Sequence, residues 1–349
     1  MTSDLTKPAD EIRDLVASVH DYAKANLAPK TVVDREAEFR HFRMWCESKG
    51  LPFLPSTPEV VCMYLAARVD GKMRIEWRGR GGELRSSTKA VKVSHVEVLY
   101  RAIIWAHREA GHDWPYAEPR VMRVLKGMRR QHGRPPRRVA ALEIGTLKKG
   151  LVSYKAPWPP ERRLRDVTLL SLGFFGALRR GELLALCVED VEFVPEGMVI
   201  TIRKSKTDQE RQGAQLGIPS QKDPAICPVA LTRQWLAWMK DEAYITAGHL
   251  FRRMDTNGCM GNKPLTTNVV ADLVRSFVEQ AGLDPKVFAG HSLRAGFITS
   301  AAKRGASLPK IMRQSRHKSE RMAMTYIRPA TLFDDNAAEG MADDKPGKP

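Results

Sequence analysis

The chain has 349 residues and a formal net charge of +17, from 57 Lys and Arg against 40 Asp and Glu. A hydrophobic fraction of 43% can build packed cores, which excludes a disordered chain, and the length allows two domains of ordinary size. The basic excess points to a polyanionic partner, because cationic surfaces gain affinity by displacing counterions from phosphates.

Residues 1–11 are polar and expected to fray. A helical domain is expected over 12–132. Phe39, Phe42, Trp45 and Cys46 recur at helical spacing, and Gly50 stops that helix. Thr57-Pro58-Glu59 is a start signal: an N-cap hydroxyl, a proline in the first turn, then an acid. That helix carries Val60, Val61, Tyr64 and Leu65 and ends by Gly71. Ser87-Thr88 is expected to open another, with Val91, Val98, Leu99, Ile103 and Ile104, ended by Gly111. Pro119 starts a shorter one with Val121, Val124, Leu125 and Met128.

Arg120, Arg123, Lys126, Arg129, Arg130, Arg134, Arg137 and Arg138 then follow with no acid among them. Residues 133–139 form a basic linker that includes Pro135-Pro136, which cannot continue a helix. Such a run is either a solvated linker or a DNA-backbone contact. Mutual repulsion among its eight cations favours the contact.

Over 140–341 the pattern is mixed. Helices are expected at 142–152, 162–177, 181–187, 228–241, 267–282, 293–304, 308–314 and 319–327. Val191-Glu192-Phe193 and Val199 to Arg203 alternate as strands around Pro195-Glu196-Gly197, and Gln215 to Ile218 can return as a third. Pro329 is expected to interrupt the last of these helices, with a short amphipathic helix after it carrying Leu332, Phe333, Ala337, Ala338 and Met341. Residues 342–349 are charged and rich in Pro and Gly, and a disordered tail is expected there. The expected class is mainly α with two domains, the second α+β around a small antiparallel sheet. Cys46, Cys62, Cys187, Cys227 and Cys259 form no Cys-x-x-Cys pair and are odd in number, so neither a disulfide framework nor a zinc site is expected. No apolar run approaches a membrane span and the N-terminus lacks a signal-peptide pattern, so the expected compartment is the cytoplasm.

The chemistry concentrates in a few short motifs. Leu178-Arg179-Arg180-Gly181-Glu182, Lys204-Ser205-Lys206, Gly290-His291-Ser292-Leu293-Arg294, Arg316-His317 and Tyr326 follow one another in that order. Breaking a phosphodiester without metal needs a nucleophile, cations on the non-bridging oxygens and a proton donor for the leaving oxygen. Arginine forks suit the cations, lysine the donor and a phenol the nucleophile. Each residue alone has a blander reading. Arg179 with Glu182 is ordinarily a surface i,i+3 ion pair, and His291 and Arg294 merely share a helix face. Lys204 competes with Lys206, His317 can be a loop histidine, and Tyr326 can pack as core.

Together the motifs resemble the tyrosine recombinase (phage integrase) family over about residues 140–330. The box around Arg179 looks like the family's first arginine box, with Ala177 and Gly181 where Gly and Ser are commoner. Lys206 matches the hairpin lysine, His291 and Arg294 the His-x-x-Arg box, His317 a position held by His or Trp, and Tyr326 the nucleophile. The resemblance implies a helical core-binding, SAM-like domain at 12–132 and a catalytic domain at 140–341, closing as a clamp around duplex DNA. It implies attack by Tyr326 to leave a 3′-phosphotyrosyl link and a free 5′-hydroxyl. Arg179, Arg294 and His317 would stabilise the phosphate, Lys206 protonate the leaving oxygen, His291 assist proton transfer, and Glu182 support Arg179. Exchange through a Holliday junction implies a monomer in free solution and a homotetramer in the synaptic complex, with no metal, nucleotide or other cofactor. A type IB topoisomerase shares this chemistry without strand exchange, and a silent architectural DNA-binding protein would share only the charge.

Overall fold

The computed structural model describes residues 12–19, 22, 26–78, 81–114, 117–135, 139–157, 159–203, 213–330 and 338. The chain forms two compact units, Met1–Pro136 and Arg137–Pro349.

The first unit is helical. It contains α1 (residues 12–19), α2 (Pro29–Ser48), α3 (Pro58–Val69), α4 (Val93–Glu109) and α5 (Pro119–His132). Thr57 caps α3 as its sequence requires, its hydroxyl accepting from the Val60 N–H. Phe42, Cys46, Tyr64, Leu65, Leu99, Ile103 and Leu125 meet in one buried core. Each fully buried side chain of this size contributes about 1.5–3 kcal/mol. Between α3 and α4 lies an unexpected hairpin, β1 (Ile75–Arg78) and β2 (Leu84–Ser87), antiparallel with Ile75 opposite Ser87. The helix expected from Ser87-Thr88 therefore begins only at Val93. That is where the buried positions Val93, Val96, Leu99, Tyr100 and Ile103 begin, and burial of that face sets the helix start.

The second unit contains α6 (Ile144–Ser153), α7 (Glu161–Phe175), α8 (Arg180–Ala185), β3 (Val191–Val194), β4 (Gly197–Ile202), β5 (Ala214–Pro219) and α9 (Pro228–Asp241). It continues with β6 (Arg252–Met254), β7 (Met260–Pro264), α10 (Thr267–Gln280), α11 (Ser292–Ala302), α12 (Leu308–Ser315) and α13 (Glu320–Ala330). The helices fall where the apolar periodicity places them. Strands β3, β4 and β5 form one antiparallel sheet in that order. The β6–β7 hairpin was missed, because Arg252–Met254 and Met260–Pro264 carry too few alternating apolar residues to read as strands. Helix α13 runs through Pro329 to Ala330, against the expected interruption. Proline's fixed φ is compatible with helix, and near a helix end its missing N–H costs one bond rather than a whole turn. The helix expected after Pro329 falls on residues outside the described set, apart from Ala338.

Helices α7 and α11 pack in the middle of this unit. Leu169, Leu170, Leu172, Leu183 and Leu293 belong to its core, with Trp235 donating its indole N–H to the Leu250 carbonyl at 2.9 Å. Gly296 lets α11 lie against the backbone of Leu142, since a Cβ there would stand 1.9 Å from the Leu142 carbonyl oxygen. Helix α7 ends at Phe175, and the chain turns through Gly176, Ala177 and Leu178 to Arg179, the N-cap of α8. Ala177 takes φ +45° in this turn with its methyl fully buried. Left-handed backbone strains any residue with a Cβ. Ala177→Gly is expected to raise stability by about 1 kcal/mol, read as a higher denaturant midpoint for unfolding. A lower midpoint would mean that burial of the methyl outweighs the backbone strain.

Candidate active site

The α7–α8 turn carries the first arginine of the site. Arg179 is the N-cap residue of α8, and Glu182 at the third helical position reaches back to it. One carboxylate oxygen of Glu182 accepts the Arg179 N–H at 2.9 Å, and the other accepts from the Arg179 guanidinium at 2.6 Å. This pair is not the solvated i,i+3 bridge that Arg179 and Glu182 would form in isolation. Glu182 is buried, with a side chain 3% exposed, and holds its carboxylate at the positive end of a helix. The same carboxylate takes a second guanidinium, from Arg316 at 2.7 Å.

The second arginine comes from α11. Arg294 is buried, and its guanidinium donates to the Ala177 carbonyl at 2.7 Å. Burial, then repulsion from Arg179 and Arg316, brings its pKa down to about 10, so it stays charged at neutral pH. One turn earlier, exposed His291 occupies the N-cap position of α11. Gly290 before it packs against the Arg180 side chain, and a Cβ there would lie 2.0 Å from Arg180 Cδ.

His317 follows α12 and lies beside Arg294, whose Nη2 sits 3.4 Å from both ring nitrogens. Ser315 donates its hydroxyl to the Ile311 carbonyl at 2.7 Å and stands 2.8 Å from His317 Nδ1. With that hydroxyl proton committed, Ser315 Oγ is the acceptor and Nδ1 carries the hydrogen. The lone pair is thereby left on Nε2, next to Arg294. Burial, followed by the charges of Arg294, Arg179 and Arg316, pulls the His317 pKa down to about 4, so the ring is neutral at physiological pH.

Tyr326 completes the group. Its ring centre is 5.9 Å from that of His317, tilted by 42°. The half-buried ring packs with Ile327 on Ile298, Ala302 and Ile311, which fixes α13 against α11 and α12. The fold thus brings Arg179, Glu182, Arg294, His317 and Tyr326 together from four elements, with Arg316 among them. Three guanidiniums face one carboxylate, a net charge of +2 with His317 neutral. Such a cluster suits an oxyanion whose charge grows during reaction. Arg316 was missed as a member. It stood in the Arg316-His317 motif, but nothing in the sequence marks an arginine that turns back to a glutamate 134 positions earlier. Lys206 and Lys204, in the segment joining β4 to β5, lie outside the described residues.

The basic run divides differently. Arg120 is paired with Glu59 and with Glu118, and Arg129 with Glu97 at 2.8 Å. The unit supplies acids the run itself lacks, so these two cations are partly neutralised within the fold. Arg123, Lys126 and Arg130 line exposed positions of α5 with Arg134 just beyond it, while Arg137 and Arg138 are outside the described residues. Among the described residues, no group of three His, Cys, Asp or Glu could hold a metal ion, and no helix is long and apolar enough to cross a membrane.

The phage integrase family model matches residues 155–332. An integrase/recombinase xerD homolog of Selenomonas ruminantium is 32% identical over 314 residues, covering 90% of this chain and 86% of that protein. The recombinase cre of Escherichia phage P1 is 21% identical over 303 residues, covering 83% and 81%. Among solved structures, the Tn1549 transposon integrase in complex with transposon right end DNA has a similar fold. Its TM-score is 0.57 at 15% identity, covering 88% of this chain and 92% of that one. The chain belongs to the phage integrase family. It is accordingly a tyrosine site-specific recombinase, an enzyme that breaks and rejoins DNA.

The His317 shift has a consequence for stability. Its pKa is depressed on folding, so on acidification the unfolded chain takes up the proton first. The native state then loses stability as pH falls from the ordinary 6.5 towards about 4. Comparing the wild type with His317→Asn in denaturant titrations, the stability difference should hold constant above pH 7 and move against the wild type through that window. A difference independent of pH would show that His317 does not titrate low.

Proposed function

We propose that Tyr326 is the nucleophile and that its phenol attacks the scissile phosphate, forming a 3′-phosphotyrosyl bond and releasing a 5′-hydroxyl. The supporting observation is the placement of the Tyr326 ring beside His317, within a cluster of arginines that carries a net positive charge. Arg179 and Arg294 bind the non-bridging oxygens and hold the negative charge of the pentacoordinate transition state. His317 enters the reaction neutral. A phosphate drawn between the arginines offsets the repulsion on its ring and favours its protonation, which turns it into a donor to the same oxygens. Lys206 protonates the leaving 5′-oxygen, and His291 assists proton transfer from the phenol. A 5′-hydroxyl of the partner duplex then attacks the phosphotyrosyl bond, which conserves the energy of the broken one, so religation needs neither metal nor nucleotide. Two such rounds pass through a Holliday junction, with a monomer in free solution and four protomers in the synaptic complex.

Duplex DNA is the partner. Residues 12–132 act as the core-binding domain and 140–341 as the catalytic domain. Arg123, Lys126, Arg130 and Arg134 present free cationic surface to the phosphate backbone. Arg137 and Arg138 bind the same backbone, and Arg120 and Arg129 join them by exchanging carboxylates for phosphates.

Covalent capture on a nicked suicide substrate tests the central assignment. Tyr326→Phe should bind the site with nearly unchanged affinity and form no adduct in a denaturing gel, because only the hydroxyl is lost. An adduct from the phenylalanine variant would move the nucleophile elsewhere. Arg179→Ala and Arg294→Ala should each slow adduct formation by about 100-fold or more. Lys206→Ala should recover most of its lost rate on a substrate whose leaving oxygen is replaced by sulfur, which needs no proton. Equal defects on both substrates would assign the general acid to another residue, with Lys204 tested first.

A further inference from the structure

Arg316 has no role in the reaction just described, yet its side chain is built into the centre of the site. Its backbone is left-handed, with φ 54° and ψ 43°, a conformation that glycine adopts freely and arginine does not. The helix end does not require an arginine here. The cap on α12 is the His317 backbone N–H donating to the Met312 carbonyl at 3.3 Å, a bond that a glycine at 316 would allow with less strain. The side chain is 14% exposed, and both terminal nitrogens of its guanidinium are bonded, while buried Nε has no partner among the described residues. Nη2 donates to Glu182 at 2.7 Å, and Nη1 donates to the Gly176 carbonyl at 3.3 Å and the Gln314 carbonyl at 3.1 Å. Strain tolerated at one residue, with its side chain directed at the group that holds Arg179, identifies a constraint on the site rather than on the helix.

We propose that Arg316 is a positioning residue for strand cleavage. Through Glu182 it locks Arg179 to the loop carrying His317, so that the two phosphate-binding elements move as one body. The inference rests on the roles of Arg179 and His317 given above. Glu182 receives the Arg179 guanidinium on Oε1, and the Arg316 guanidinium on Oε2 together with the Arg179 backbone N–H. Arg316 therefore balances part of the carboxylate charge and leaves more of the Arg179 charge for the phosphate. It also ties down Oε2 of Glu182, which limits how far the carboxylate, and with it the Arg179 fork on Oε1, can turn. Because Arg316 adjoins His317 in sequence, the same bonds hold the histidine's loop against the α7–α8 turn. No contact with DNA is required of Arg316.

The test compares Arg316→Gly and Arg316→Lys with the full-length wild type on the suicide substrate, at DNA concentrations that saturate binding. Arg316→Gly removes the guanidinium and relieves the backbone, so melting temperature and half-site affinity should be nearly unchanged. Its single-turnover cleavage rate should fall by about 10- to 100-fold, the cost of a loosened catalytic group. Arg316→Lys restores a cation to Glu182 and should recover part of that rate. In a Glu182→Gln background, Arg316→Gly should add little further loss, since the link it breaks is already cut. Wild-type cleavage by Arg316→Gly would overturn the proposal. So would a rate loss that tracks a fall in melting temperature or affinity, or losses that simply multiply in the Glu182→Gln background. Tyr326→Phe run in parallel separates this from the underlying reading. An adduct from that variant defeats the assigned nucleophile, whereas an inactive Tyr326→Phe beside a fully active Arg316→Gly defeats Arg316 alone.

Discussion

The site depends on one turn of backbone. Where α7 ends, its last carbonyls have no partner within the helix and carry the negative end of its dipole. Three consecutive carbonyls at this point, those of Phe175, Gly176 and Ala177, accept from Gln314, Arg316 and Arg294. All three donors come from the C-terminal helices, more than a hundred residues later. The turn is thus the template on which α11, α12 and the His317 loop assemble. It is also the segment that delivers Arg179. Any shift of the turn moves one arginine and the acceptors of two others together.

The electrostatics follow from that convergence. Bringing three guanidiniums into a half-buried space is unfavourable, and the structure offsets it with one buried carboxylate and a row of carbonyl dipoles. The offset is incomplete. Repulsion from neighbouring arginines helps to bring the pKa of Arg294 down to about 10 and that of His317 to about 4. The cluster therefore suits an anion, because the positive charge of its arginines is fixed in place by the fold. Where a pair is meant to stay closed, the molecule builds it differently. Arg165 and Asp166 bond to each other in the core of the same unit, with Arg165 also donating to the Arg252 carbonyl. That pair lies away from the charged cluster and braces α7 against β6.

Much of this was legible in the sequence, and the reason is physical. Apolar periodicity reports the buried face of a helix wherever the helix occurs, so the α-helices described in the second unit and the three strands of its main sheet could be read from spacing. The candidate set was legible because the proposed chemistry demands particular residue types, and Arg179, Glu182, Lys206, His291, Arg294, His317 and Tyr326 stand in motifs short enough to see. What stayed hidden was decided by contacts distant in sequence or by backbone conformation. The hairpins β1–β2 and β6–β7 are too short and too polar to show a period of two, and only cross-strand pairing makes them strands. Pro329 reads as a helix stop, but a helix end can absorb one missing N–H. The eight basic residues of 120–138 read as an unpaired run, yet Glu59 and Glu97, on other helices, pair with two of them. The left-handed turns at Ala177 and Arg316 carry no signal, because neither residue type announces a positive φ. Residue chemistry and spacing determined the family, most of the helices and the candidate side chains. Tertiary structure alone decided that Glu182 is shared between two arginines and that three successive carbonyls hold the site together, because only folding brings donors near residue 315 to acceptors near residue 176.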